Sequence, residues 1–149
     1  MLFRSRRHLI SDTAGFTLLE VLVVVAIIGV LATIVGPSVF QNIGRSKQTT
    51  AQNQIAMFAS ALENYRLDVG RYPSTEQGID ALRTKPTLPP IPANWHGPYL
   101  LNDPPIDPWG TRYQYRYPGQ NSVGSYDLFS LGADGQPGGE GENQDVVNW

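Results

Sequence analysis

Residues 16–36 read FTLLEVLVVVAIIGVLATIVG, an apolar run interrupted by a single carboxylate, Glu20. As a helix rising 1.5 Å per residue the run measures roughly 32 Å, enough to cross the hydrocarbon core of a bilayer. Arg4, Arg6 and Arg7 all precede it, and basic residues on that flank direct residue 1 toward the cytoplasm and the C-terminal part to the far side. The same hydropathy suits an ordinary secretory signal peptide or signal anchor. A secretory signal is cut at small residues after its apolar region, whereas this run ends in Ile34, Val35, Gly36 and Pro37 with no such match.

Glu20 is the chemically informative position. A charged side chain deep in a bilayer costs about 2.5–3.5 kcal/mol on insertion scales, and less near the interface. A cut after Gly15 would create a free α-amine on Phe16, a cation four positions from Glu20 on the same helix. Between neighbouring subunits the same pairing would fix axial register, because a slipped neighbour leaves a charge unpaired in lipid. The alternative is a carboxylate that only snorkels to the headgroups.

Beyond Pro37 the pattern changes. A polar stretch over residues 41–54 leads to Ile55, Phe58, Ala59 and Leu62, spaced i, i+3, i+4, i+7 as one face of an amphipathic helix. That helix is expected from Ser38 to about Arg66, continuing the span through a kink or loosened turn at Gly36 and Pro37 and ending before Asp68. Ser74 followed by Gln77 reads as a capping box opening a short helix to about Arg83, with Ile79 and Leu82 inward. A proline-rich loop follows. Tyr113, Tyr115 and Tyr117 alternate with Gln114 and Arg116, and residues 126–131 form a second run, so an antiparallel hairpin is expected, joined by a weaker strand near residues 99–101. Aromatic alternation of this kind is cross-strand and core packing rather than a ligand platform.

Composition narrows the function. With 149 residues, 11 Lys plus Arg against 13 Asp plus Glu and a net charge of −2, the chain carries no nucleic-acid footprint. Removing the leader deletes Arg4, Arg6 and Arg7 against Asp12 and leaves the rest more acidic. There is no Cys, so neither a disulfide nor a thiolate metal site staples the soluble part. The two histidines are His8, in the basic leader, and His96, so a histidine triad or multi-histidine metal site would rest on His96 alone. This counts against an enzyme, although carboxylate mechanisms stay open. The stretch from Leu131 on, LGADGQPGGEGENQDVVNW, gathers Asp134, Glu140, Glu142 and Asp145 among glycines. Oxygen ligands on a flexible loop suit Ca²⁺, while an acidic glycine-rich tail is also often simply solvated.

The leader followed by Gly15, Phe16, Thr17, Leu18, Leu19 and Glu20 resembles the class III signal of type IV pilins and pseudopilins. That resemblance implies cleavage between Gly15 and Phe16 by a prepilin peptidase, N-methylation of Phe16, an assembly role for Glu20 and a helix break at Pro37. Three further segments, YRLDVGRYPSTEQGIDAL from Tyr65, GPYLLNDPPIDPWGTRYQY from Gly97 and YDLFSLGADGQPGG from Tyr126, resemble those of the major pseudopilins of type II secretion. The resemblance implies one Ca²⁺ in the last loop, with Asp134 and Asp145 as carboxylate ligands, the Leu131 carbonyl contributing, and Glu142 and Asn143 as further candidates.

The expected fold is α+β: a long N-terminal helix, its first half transmembrane, packed against a small C-terminal domain with a short helix and a three-stranded antiparallel sheet. The expected organisation is a cleaved leader over residues 1–15, a transmembrane half-helix over 16–36, an amphipathic periplasmic half over 37–67, and a globular domain over 68–149 with its calcium loop at 131–149. The implied function is a structural subunit that polymerises into a periplasmic pseudopilus and drives export of folded proteins. Implied partners are further copies of the chain, minor pseudopilins, the prepilin peptidase, an inner-membrane assembly platform with its ATPase, and the outer-membrane secretin. A type IV pilin or minor pseudopilin is the nearest alternative, and a membrane-tethered periplasmic enzyme or binding domain the alternative of another class.

Overall fold

The computed structural model describes residues 15–149, apart from the side chains of residues 36–41. The leader expected over residues 1–15 thus lies, Gly15 excepted, outside the described residues, as does the side chain of Pro37. The chain divides into two compact units, Met1–Val39 and Phe40–Trp149.

Helix α1 spans Leu18–Val69 and its assignment continues through Pro37. Thr17 starts it: its Oγ1 accepts the N–H of Glu20 at 3.2 Å, satisfying one of the orphan donors of the first turn. The stretch Leu18–Val35 is long and apolar enough to cross a membrane, and none of it is buried. Its one hydroxyl, Thr33, donates back to the Val30 carbonyl at 2.7 Å and so presents no unpaired polar group. The helix ends slightly beyond the expected boundary at Asp68. Gly70, at φ 83°, turns the chain out, and its N–H donates to the Arg66 carbonyl at 2.8 Å.

Within the second unit α1 is one-sided. Ala51, Ile55, Phe58, Leu62 and Tyr65 are buried at alternating spacings of four and three, which places them on one stripe. Ala59 flanks the stripe half-buried, and Ala61 joins the core. Against the stripe lies a three-stranded antiparallel sheet in the order β1 (Gln114–Arg116), β2 (Asp127–Ser130), β3 (Val146–Val147). Tyr115 faces Leu128 across β1 and β2, and Ser130 faces Val146 across β2 and β3.

The tyrosines are core residues, as their alternation implies. Phe58 and Tyr113 meet edge to face with centroids 5.3 Å apart, Tyr72 and Tyr126 at 4.9 Å, and Tyr115 stacks on Tyr126 at 5.9 Å. Tyr113 donates its hydroxyl to Gln54 of α1 and Tyr115 to the Pro73 carbonyl at 2.8 Å, whereas the buried Tyr65 hydroxyl has no partner among the described residues. Burial raises the pKa of Tyr113, Tyr115 and Tyr126, the last to about 12, so these phenols stay neutral.

Asp127 closes the β1–β2 turn. It is 1% exposed and accepts the backbone N–H groups of Gln120 at 2.7 Å, Asn121 at 3.0 Å and Ser122 at 2.9 Å. Burial alone would raise its pKa, but the backbone donors of Asn121, Ser122 and Gln120 outweigh it and hold the carboxyl below its ordinary 3.8.

Two expectations need correction. The third strand is Val146–Val147, not the segment near residues 99–101. The N–H groups of Tyr99 and Leu100 both donate to the Leu82 carbonyl, at 2.7 and 3.2 Å, so that segment docks on the preceding helical turn, and Pro98 beside it has no N–H to offer a sheet. The short helix is a 3₁₀ turn, Ile79–Leu82. The expected Ser74–Gln77 pair bonds in both directions, Ser74 N–H to Gln77 Oε1 at 3.0 Å and Gln77 N–H to Ser74 Oγ at 3.3 Å, but it closes the turn ahead of the 3₁₀ helix, whose own N-cap is Gly78 without a side-chain bond. Gly78, at φ 60°, then breaks the α-helical path and leaves only the tighter turn beyond it.

Candidate functional sites: the apolar helix and the glycine-rich loop

In the first unit, Phe16 is 82% exposed and Leu18 86%, and the large apolar side chains that follow are exposed on every side of the helix. Glu20 is the sole ionisable group of this stretch, and among the described residues its carboxylate has no basic partner. Together with Thr17 it occupies the Thr-x-x-Glu positions of a capping box, of which the Thr17-to-Glu20 half is made. A carboxylate in the first turn also complements the helix dipole. Gly15 and Phe16 lie just ahead of α1, in non-helical backbone.

In the second unit, the glycine-rich loop leaves β2 at Ser130 and returns to β3 at Val146, so the Ser130–Val146 pair closes it at the root. Backbone bonds tie its two arms together, Ala133 N–H to the Glu142 carbonyl at 2.9 Å and Asp145 N–H to the Gly138 carbonyl at 3.2 Å, and the N–H groups of Asn143 and Gln144 close tight turns onto the Glu140 and Gly141 carbonyls. Gly132 and Gly139, at φ 67° and 82°, press on the Asn143 peptide from two positions. A Cβ would stand 2.9 Å from the Asn143 oxygen at Gly132 and 2.5 Å at Gly139, so neither position admits a side chain.

Gln48 and Lys47 tie the loop to α1. Gln48 Nε2 donates to the carbonyls of Gly141 and Gln144, both at 2.9 Å. Beside it Lys47 Nζ lies 3.7 Å from Glu142 Oε2, and a Cβ on Gly44 would stand 2.6 Å from Glu142 Cγ. An open groove of about 860 Å³ remains between helix and loop, lined by Arg45, Gln48, Gln52, Gln144 and Asp145 among others.

The five candidate ligands of this loop divide. Asp134 Oδ1 accepts the N–H of Gln136 at 3.0 Å in a tight turn. Asp145 Oδ2 accepts the N–H of Gly138 at 2.9 Å, while its Oδ1 is buried with no hydrogen-bond partner. Glu142 is drawn to Lys47, the Asn143 peptide is enclosed by glycines, and Leu131 is half-buried at the exit of β2. Among the described residues no three acidic or histidine side chains converge. A buried carboxylate oxygen without a donor is a group that a bound water or a cation satisfies. The donor set around it is oxygen only, as Ca²⁺ requires, and backbone carbonyls and water would have to complete six to eight ligands. The residues present fit that ion in chemistry.

Sequence reading passed over Gly44, Lys47 and Gln48, although Gly44 and Gln48 continue the four-and-three spacing of the core stripe back from Ala51. It also passed over Asp107 and Ser130, which no local pattern connects.

The family model described as Type II secretion system (T2SS), protein G matches residues 38–149, and that described as Prokaryotic N-terminal methylation motif matches residues 10–36. The chain is 48% identical to the Type II secretion system core protein G of Pseudomonas aeruginosa, over 91% of this chain and 94% of that one. It is 48% identical to the protein of the same description from Vibrio cholerae, over 91% and 90%. The crystal structure of the major pseudopilin from the type 2 secretion system of enterohaemorrhagic Escherichia coli is similar with a TM-score of 0.63 and 41% identity, covering 72% of this chain and 87% of that one.

Proposed function

The chain belongs to the type II secretion system protein G family, structural major pseudopilins rather than enzymes, and from that premise we propose how its two units divide the work of building a pseudopilus. The leader is removed between Gly15 and Phe16 by a prepilin peptidase, and the new Phe16 amine is methylated. Residues 16–36 hold the subunit in the inner membrane of a Gram-negative cell, with the N-terminus cytoplasmic and the globular unit periplasmic. Residues 37–67 and 68–149 then form the periplasmic half-helix and its covering domain, with Pro37 loosening the helix between the halves.

The observation that carries this reading is a helix apolar on all sides and buried on none, whose one carboxylate has no basic partner among the described residues. In lipid such a helix gains nothing from hiding its side chains, so it associates through close packing and through its rare polar group. The Phe16 amine of one subunit and Glu20 of its neighbour neutralise each other, and the pairing sets the axial step of a homopolymer. The assembly platform and its ATPase supply energy, minor pseudopilins cap the tip, and cargo leaves through the secretin.

In the globular unit the loop holds one Ca²⁺ through Asp145, Asp134 and the Leu131 carbonyl, with Glu142 and Asn143 as further contributors. The ion orders a segment with little apolar surface of its own. The unpartnered buried oxygen of Asp145 supports this.

The decisive experiment is mass analysis of the purified native protein beside a Glu20→Ala variant. The mature chain is expected to begin at Phe16 carrying one added methyl group, and Glu20→Ala to be processed normally but to lose filament assembly and secretion. A native chain that keeps its arginine-bearing leader, or a Glu20→Ala strain that secretes normally, would sink the reading. For the ion, chelation and Asp134→Ala should each lower the melting temperature of the globular unit, and an unchanged melting curve in both would remove calcium from the account.

A further inference from the structure

Asp107 lies 23 residues before Ser130 and outside the glycine-rich loop, yet it is 3% exposed and has both carboxylate oxygens occupied. Its Oδ1 accepts the N–H groups of Trp109 at 3.1 Å and Thr111 at 2.7 Å, while its own N–H donates to the Thr111 carbonyl at 2.8 Å. The Pro-Trp-Gly turn after it is thereby wound tightly around the carboxylate, with Gly110 at φ 95° and its N–H on the Asp107 carbonyl at 3.0 Å. Oδ2 accepts from Ser130 Oγ at 2.6 Å, and Ser130 Oγ accepts in turn from the N–H of Gly132 at 3.2 Å. Ser130 is itself 1% exposed and stands opposite Val146, the residue after Asp145.

A chain of two hydrogen bonds therefore runs from a rigid buried carboxylate to the first turn of the loop. It ends at Gly132, which has no room for a Cβ and fixes where the Asn143 peptide sits. The same serine is part of the pair that closes the loop's root beside Asp145. Any freedom in the Ser130 hydroxyl passes to both ends of the loop at once. We propose that Asp107 and Ser130 are positioning residues for the cation loop: they touch no ion, but hold Leu131 and Asp145 in the arrangement that accepts one. This rests on the reading of the loop as a calcium site. Outer-shell partners of this kind change metal affinity by tenfold or more when removed, because the liganding groups must then be ordered at the expense of binding.

The test is a calcium titration of the full-length protein in detergent after chelator treatment, following intrinsic tryptophan fluorescence, with melting curves recorded without calcium. Asp107→Asn and Ser130→Ala should need about tenfold more free calcium for half-saturation. Leu82→Val, a core change far from the loop in sequence, serves as a destabilised control and should keep the wild-type midpoint. Variants that melt earlier but saturate at the wild-type calcium concentration would make Asp107 and Ser130 purely structural and overturn the proposal. A wild-type protein that gives no calcium response would overturn the calcium reading itself, and this one with it. Should Asp107→Asn fail to fold, Ser130→Ala decides alone, since it removes the relay and leaves the Asp107 turn intact.

Discussion

The two ends of α1 are built from the same helical hydrogen bonds but from opposite sequence logic. Over Leu18–Val35 apolar residues fill every side and none is buried, whereas around Ala51 to Tyr65 they keep to one stripe and are covered almost completely. On the reading proposed above, the first pattern has no preferred face because its solvent is lipid, whereas the second has one because only one side meets a core. On that reading, burial within a single chain measures stability for the second stretch and says nothing of it for the first, whose partners would be other molecules.

The sharpest way to break this comparison is to truncate one large side chain in each stretch. Phe58→Ala should cost the globular unit about 3–5 kcal/mol, read as a large drop in melting temperature by circular dichroism in detergent. Leu31→Ala should leave that transition in place and be felt only in filament yield. Equal thermal losses from the two variants would mean that the stretches are not differently solvated after all.

A smaller effect tests how far the globular unit stands on its own polar bonds. Because Asp127 has a folded-state pKa below its ordinary 3.8, its contribution is complete above that value and is lost as pH falls through the lower, folded one. Acid should therefore destabilise the globular unit below about pH 4, and Asp127→Asn should flatten that dependence. At neutral pH the same variant should lose about 2–3 kcal/mol, since three backbone N–H groups lose a charged acceptor. A variant whose acid profile matches wild type would move the acid sensitivity elsewhere.

The smallest change lies where the stripe stops being apolar. Gln48 uses both amide hydrogens on loop carbonyls, and Gln48→Glu would place carboxylate oxygens against them. A loss of about 1–2 kcal/mol is expected, with faster hydrogen exchange in residues 141–144. Exchange that stays at the wild-type rate would show that the loop holds its place without the helix.

Much of the second stretch is legible in sequence because its signals are local. Ile55, Phe58 and Leu62 lie within two turns, Ser74 and Gln77 within one, and Tyr113, Tyr115 and Tyr117 alternate along β1 and the residues that flank it, so period and spacing suffice. What stayed hidden is non-local or too short to have a period. Val146 and Val147 are only two residues, and nothing in them announces that they pair with β2 while Tyr99 and Leu100 do not. The bond between Asp107 and Ser130 joins segments with no shared pattern. Gln48 reads as one more polar residue on a solvated helix until the loop is seen lying across it. In the candidate site, residue types were readable and directions were not: Asp134 and Asp145 can be read off the glycine loop, but that Glu142 turns toward Lys47 is visible only in the folded chain.

The strand order carries a consequence for timing. β3 follows the glycine loop in the chain and covers the side of β2 away from β1. While the polypeptide emerges N-terminus first, β1 and β2 are both present before residues 146–147 arrive, and until then the flank of β2 away from β1 has no strand to pair with its peptide groups. How quickly the intervening loop settles decides how long that flank stays open to strangers.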